Sequence, residues 1–274
     1  MKQAKDLERL DKVLANNGYG TRKDVKRLVR RGEVTVNGDA VLTPDAHVNL
    51  ASDCIAVRGE QVAVRTNCYL MMNKAAGYVC STVSDSHETV YSLLAPEYRK
   101  KFLGGELSTV GRLDADTEGL LVFTSDGDLN HRLTSPRWRI PKTYLVYLKT
   151  ALGAQERKDY AEKLAAGVHV AAEGKAPEAD CLPADVEWIP EVESLPASAA
   201  AACYLTVYEG KFHEVKRLFA ALGNEVLYLK RVAINGLHLD SSLAPGAYRE
   251  LTAEELTLLD VNEKNLRKEH GTDD

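Results

Sequence analysis

The chain has 274 residues, 45% hydrophobic and 27% charged, and a net charge of −5. That composition describes a globular protein able to bury a core, as one large domain or a large domain with a small partner. No run approaches the roughly 18 apolar residues of a membrane helix, and Met1 to Asp6 lacks the apolar core of a signal peptide, so a cytoplasmic chain without a membrane partner is expected.

The charge is uneven. Residues 1–31 hold ten Lys or Arg against four acids, a surplus of +6 that leaves −11 for the remainder. Screening confines such a field to about 8–10 Å at ordinary salt, so a local basic patch attracts phosphates whatever the overall sign. Leu10, Val13 and Leu14 predict a helix within 8–18, ended by Gly18 and Gly20. Thr21 is placed as the N-cap of a second helix, with Asp24 at N3 completing a capping box. Val25, Leu28 and Val29 form its apolar stripe, and Lys23, Lys26, Arg27 and Arg30 occupy the remaining surface. Gly32 stops this helix, and Val34 to Gly38 reads as a short strand and a turn. On these residues alone, a solvated pair of charged helices is as good a reading as an RNA-binding unit.

The same segment, from Arg9-Leu10-Asp11 to Gly32-Glu33-Val34-Thr35-Val36-Asn37-Gly38, resembles an S4 RNA-binding domain. Thr21-Arg22 stands where that family usually has Ser-Arg. The resemblance implies RNA contacts by Arg9, Arg22, Lys23, Lys26, Arg27, Arg30 and Arg31. Residues 50–67 alternate weakly and are expected to finish a small domain and linker, 1–66, before a large domain over 67–260 and a charged, frayed tail over 261–274.

Tyr69 to Met72 predicts a buried strand, followed by the loop Asn73-Lys74-Ala75-Ala76-Gly77. Further along, Val110-Gly111-Arg112-Leu113-Asp114-Ala115-Asp116-Thr117-Glu118-Gly119 runs into the apolar strand Leu120 to Phe123. Both faces of that strand are apolar, which predicts burial within a sheet, and Gly111 and Gly119 free the backbone at the ends of the loop. Taken alone, an acid in a glycine-flanked turn is more often a turn former or helix cap. In Asn130 to Tyr144, the basic residues Arg132 and Arg137 interleave with Trp138 and Tyr144. Aromatics can stack on bases while cations meet phosphates, although core aromatics are the plainer reading. Strands are predicted near 143–149, 202–208 and 226–232, and Pro183, Pro190 and Pro196 mark a flexible loop or insertion over 183–200. In Glu214 to Leu222, the residues Val215, Leu218, Phe219 and Leu222 follow helical spacing and Gly223 is the stop. That stripe places Lys216 on its flank, able to reach inward, and Arg217 on the opposite, solvent side. The five cysteines, Cys54, Cys68, Cys80, Cys181 and Cys203, form no Cys-x-x-Cys pair and read as buried free thiols, with no metal site. Strands in groups with interspersed helices favour an α+β fold.

The Gly-Arg-Leu-Asp stretch resembles the signature of RNA pseudouridine synthases, in the branch named after the small-subunit ribosomal RNA enzyme. The resemblance runs from residue 8 to about 258 and includes Leu243 to Thr252, similar to that family's closing segment. It implies an S4-like domain followed by a catalytic domain with a mixed, mainly antiparallel sheet flanked by helices. It implies Asp114 as catalytic carboxylate, Tyr144 packed on the target uracil and Lys216 paired with the aspartate. Arg112 would fill the space left by a flipped base, and Arg132, Arg137 and Arg217 would join the RNA contacts. Ala75 replaces a proline of the family pattern and Glu214 a glutamine, where it adds a negative charge. The expected reaction breaks the bond from uracil N1 to ribose C1′ and rejoins the base through C5. Nothing is oxidised in it, so neither cofactor nor metal is expected, and neither a P-loop nor a dinucleotide fingerprint is present. The expected partner is ribosomal RNA, 16S or a small-subunit assembly intermediate, with uridine 516 as target and the protein a monomer. A 23S enzyme of the same family and a non-catalytic ribosome-assembly factor are the alternatives. A glycosidase with Asp116 or Glu118 as its second carboxylate is a weaker one.

Overall fold

The computed structural model of the protein describes residues 7–99, 102–103, 105–190 and 198–259. These fall into two compact units, one within 1–68 and 101–106, the other within 69–100 and 107–274. The expected tail over 261–274 lies outside the described residues.

The small unit runs β1 (Leu7–Arg9), α1 (Leu10–Asn16), α2 (Arg22–Arg30), β2 (Val34–Val36), β3 (Asp39–Ala40), β4 (His47–Asn49), β5 (Ile55–Val57) and β6 (Glu60–Gln61). The first helix begins later than its periodicity suggested because Leu7–Arg9 pairs with β4 as a strand. Leu10, Val13 and Leu14 of α1 pack on Val25 and Val29 of α2 and on Val34 and Ile55. The capping box forms as expected, Thr21 accepting from the Asp24 backbone while Asp24 accepts from that of Thr21. Arg9 makes two 3.0 Å hydrogen bonds to Asp11. Burial raises the Asp11 carboxyl, but this fork outweighs it and holds the group below its ordinary pKa.

The large unit adds β7 (Tyr69–Lys74), β8 (Ser108–Thr109), β9 (Glu118–Thr124), α3 (Gly127–Thr134), β10 (Lys142–Leu148), α4 (Ala154–Ala166), β11 (His169–Val170) and β12 (Ala179–Asp180). It continues with β13 (Asp185–Trp188), β14 (Ala201–Val207), α5 (Glu214–Ala221), β15 (Val226–Ile234), β16 (Leu237–His238), β17 (Tyr248–Glu250) and α6 (Ala253–Leu259). A nine-stranded sheet has the path β13-β14-β10-β15-β9-β7-β17, with β16 on β15 and β8 on β9. Its pairings are antiparallel except for β9 with β15, so the fold is α+β with a mixed, mainly antiparallel sheet. Leu120, Leu121, Val122 and Phe123 are fully buried, as a strand with two apolar faces requires.

Two expectations fail here. Asp185–Trp188, read as part of a loop, is a strand on β14. Its prolines, Pro183 and Pro190, flank the strand rather than interrupt it, so the ladder keeps its N–H donors. Residues 191–197 of the same stretch lie outside the described residues. Cys54 is exposed just before β5, while the other four thiols are buried.

β9 starts at a point of close approach. Gly119 has φ +100°, and an ideal Cβ there would lie 2.2 Å from the Arg231 carbonyl oxygen. Gly119→Ala therefore strains the backbone and drives β9 off β15, with an expected loss of about 3 kcal/mol. Urea denaturation checks this; an unchanged midpoint and slope would contradict it.

Candidate active site

The strand β7 is apolar through Met72 and ends on Asn73 and Lys74, and the Lys74 side chain is fully buried. Its ammonium donates to the carbonyls of Asp114 at 3.0 Å, Ala115 at 3.3 Å, Thr117 at 2.7 Å and its own neighbour Ala75 at 3.1 Å. Burial pulls this amine below its ordinary pKa, with Cys80 and the acids Asp114, Asp116 and Glu118 opposing. The loop after β7 adds two more ties. Gly77 donates its N–H to Ala115 at 2.7 Å, and the Cys80 thiol joins the Leu113 backbone at 3.3 and 3.5 Å. The loop in which Ala75 replaces a proline of the family pattern is thus bound to the Asp114 loop at several points.

Held this way, the Asp114 side chain stands half-buried, 30% exposed. The helix α5 brings Lys216 to it, Nζ 3.8 Å from Oδ2. The same ammonium makes shorter bonds to Asp116, 2.7 and 2.8 Å. Burial raises the Asp116 carboxyl, yet Lys216 outweighs this and holds it below its ordinary pKa. His213, in the left-handed region at φ +47° before α5, places Nε2 3.6 Å from Asp114 Oδ1 and Nδ1 3.0 Å from Glu173 Oε1. A strained backbone of this kind clusters at working sites. Tyr144 of β10 is 9% exposed, and burial raises its phenol pKa, so the ring is neutral. A cavity of about 70 Å³ is lined by Asp114, Tyr144, Arg112, His213, Glu214 and Leu229. The structure therefore gathers Asp114, Tyr144, Arg112 and Lys216 from residues spread over a hundred positions.

Other expected residues sit differently. Arg217, expected to face solvent, is 6% exposed. Its guanidinium donates to the carbonyls of Ala171 at 2.7 and 3.1 Å, Pro177 at 2.6 Å and Phe212 at 3.3 Å. The β11–β12 hairpin covers that side of α5, so Arg217 braces the helix from within and does not face solvent. Glu214, expected to add a negative charge in place of a glutamine, is buried at the cavity wall. Arg132 is half-buried, while Arg137 is exposed with its guanidinium 6.0 Å from the Trp138 ring centroid; neither lines the cavity. In the small unit Arg22, Lys23, Arg27, Arg30 and Arg31 are exposed and Lys26 is half-buried. Arg9 is spent on Asp11, Arg27 lies 3.4 Å from Asp24 and Arg31 3.8 Å from Glu33.

Sequence reasoning missed Lys74, His213, Glu173 and Arg231 as parts of the site. Arg231 is 1% exposed on β15, in register with Tyr144, and donates to Leu120 O at 2.8 Å. The available signal for Lys74 was a charge closing a strand of continuously buried residues, and for Arg231, beside Lys230, its place on the buried phase of β15 with Leu229 and Ala233. Glu173 and His213 carried no such signal. Among the described residues, one group has the spacing of metal ligands: Cys181, Glu209 and Glu214, with ligand atoms within 4.8 Å of one another. Lys211 pairs with Glu209, and buried Lys142 lies beside Glu214. Lysines thus supply the positive charge that an ion would bring. No helix among the described residues is long and apolar enough to cross a membrane.

Comparison with known proteins bears on this arrangement. Residues 68–221 match the family model for RNA pseudouridylate synthase, and residues 8–53 match the S4 domain. An RNA pseudouridine synthase of Bacillus subtilis is 43% identical over 92% of this chain and 98% of its own length. Ribosomal small subunit pseudouridine synthase A of Escherichia coli is 40% identical over 90% and 98%. A solved structure described as a pseudouridylate synthase superposes with a TM-score of 0.59 at 34% identity, covering 92% of this chain and 99% of the other. With both of its units matched in order, the chain belongs to the RNA pseudouridylate synthase family, in the S4-bearing branch of the small-subunit type, and is an enzyme that isomerises uridine.

Proposed function

We propose that this enzyme converts a uridine of 16S ribosomal RNA to pseudouridine, with uridine 516 as the target, and that Asp114 is its catalytic carboxylate. The observation that carries the reading is the cavity wall on which Asp114 and Tyr144 meet, with the Lys216 ammonium 3.8 Å from the carboxylate. Breaking a glycosidic bond builds positive charge on the sugar, and a fixed carboxylate opposes that charge or attacks it. The freed uracil has to be retained while it turns, and the neutral Tyr144 ring supplies a flat apolar surface for it. Arg112 is exposed at the rim, without a hydrogen bond or ion pair among the described residues, and so is free to enter the space of a flipped base. The glycosidase alternative lacks support, because Asp116 is held by Lys216 and Glu118 accepts the Tyr228 hydroxyl at 2.7 Å.

A base inside a helix is out of reach, so the target is single-stranded or flipped, at a cost of a few kcal/mol. We assign that energy to phosphate contacts by the exposed cations of α2, which are neutral to sequence; RNA shape and the cavity then select the site. The protein is taken to act as a cytoplasmic monomer.

Asp114→Asn should abolish isomerisation of unmodified 16S transcript while RNA affinity stays near wild type. Carbodiimide labelling with primer extension reads the product as a new stop, and an active variant would remove Asp114 from its role. A stop at another uridine, or in 23S transcript alone, would overturn the target. Neutralising Lys26 and Arg30 together should weaken binding and reduce its salt slope by about 2. A filter-binding titration showing an unaltered slope would take α2 out of the interface.

A further inference from the structure

The cavity beside Asp114 has a second carboxyl in its wall. Glu214 opens α5, is 6% exposed, and lines the same cavity as Asp114 and Tyr144. Its Oε2 accepts the Lys211 backbone N–H at 3.1 Å, and no other hydrogen bond reaches this carboxyl among the described residues. The titratable groups around it come from several elements. Glu209 follows β14 and Cys181 follows β12, each within 4.8 Å by ligand atoms. Lys211 lies in the loop before α5. Lys142 opens β10, buried, its ammonium on the carbonyls of Ile140 and Glu209 at 3.1 and 3.5 Å. Asp114, Tyr144, Arg112 and the adjacent His213 line the same cavity, and Arg231 acts on both Lys142 and Tyr144.

The two neighbouring glutamates are unequally served. Glu209 receives the Lys211 ammonium and the Leu182 N–H at 2.8 Å, whereas Glu214 receives a single backbone N–H. Burial first, then repulsion from Glu209, push the Glu214 carboxyl up to about 7, against the pull of Lys211 and Lys142. Like charges this close in a dry site favour the neutral form of the carboxyl with fewer donors, here Glu214.

We propose that Glu214 takes part in the isomerisation as a neutral carboxylic acid, donating its O–H to a carbonyl oxygen of the target uracil. The proposal rests on the isomerase reading above. When the N1–C1′ bond breaks, its electron pair stays with the uracil and spreads onto O2 and O4. A positioned donor there stabilises the departing base more than the intact nucleoside. When C1′ bonds to C5, that carbon loses its proton and N1 gains one, so Glu214 ends with the proton it began with. Ionised, the same carboxyl has nothing to donate and places a second negative charge beside Asp114 and the base.

The test is single-turnover pseudouridine formation on 16S transcript from about pH 6 to about pH 9, for wild type, Glu214→Gln and Glu214→Leu. The wild-type rate should fall about tenfold per pH unit once Glu214 ionises. Glu214→Gln donates more weakly and cannot ionise. It should run about threefold to tenfold slower near pH 6, lack the alkaline limb, and overtake wild type near pH 9. Glu214→Leu should be about a hundredfold slower near pH 6. A flat wild-type profile, or the same limb kept in Glu214→Gln, overturns the assignment. Should the Gln variant fail to fold, infrared difference spectra of wild type decide, since a protonated-carboxyl band lost across this range is required and its absence overturns the proposal. A wild type that makes no pseudouridine at any pH sinks the isomerase reading and Glu214 with it, whereas an active wild type without the limb sinks Glu214 alone.

Discussion

An ammonium shut away from solvent has to find oxygen atoms to receive its protons, or its burial costs several kcal/mol. Lys74 finds four carbonyls, three of them in the loop that carries Asp114. The lysine is tolerable only when the loop is closed over it, and its ammonium adds a donor to loop carbonyls that the Gly77 and Thr117 N–H groups serve only in part. Since β7 is paired along its length with β9 inside the large sheet, the ammonium transmits the rigidity of that sheet to one carboxylate.

The other side of the carboxylate is set by α5. Arg217 ties that helix to the β11–β12 hairpin through backbone carbonyls, and Glu173 of the same hairpin holds the His213 ring. Lys216 then points at Asp116 and Asp114 because its helix cannot rotate. Negative and positive groups thus reach the cavity from two independently braced directions, and the neutral tyrosine lies between them. The overall acidity of the chain is no obstacle to an RNA substrate, because the exposed cations of α2 sit within a segment that is basic by itself.

Local pattern made much of the fold legible. The strands at β7, β9, β10, β14 and β15 and the capping box at Thr21 depend on period and neighbours within a few residues, which a sequence displays. The pairing of Asp114 with Lys216 spans 102 positions, and the residues alone did not announce it; only the resemblance brought the two together. Arg217 shows the converse. A helical wheel gives the angle between two side chains but not what covers each side, and here a hairpin from elsewhere in the chain covered the supposed solvent face. Lys74 was read as a loop residue, although it closes a run of buried side chains, where a charge demands a partner. His213 and Glu173 meet only through the docking of that hairpin, a contact that no spacing encodes. The strand at Asp185 was hidden by the prolines around it, which mark its ends.

The most direct check of this account is tritium release from 16S transcript carrying 5-tritiated uridine, since forming the C1′–C5 bond expels the hydrogen at C5. Lys74 is fully buried and touches no solvent, so Lys74→Met should bind RNA as the wild type does. With Asp114 no longer held in place, its single-turnover release should be about a hundredfold slower. Release at the wild-type rate would contradict the account, because the carboxylate would then not depend on the ammonium beneath its loop.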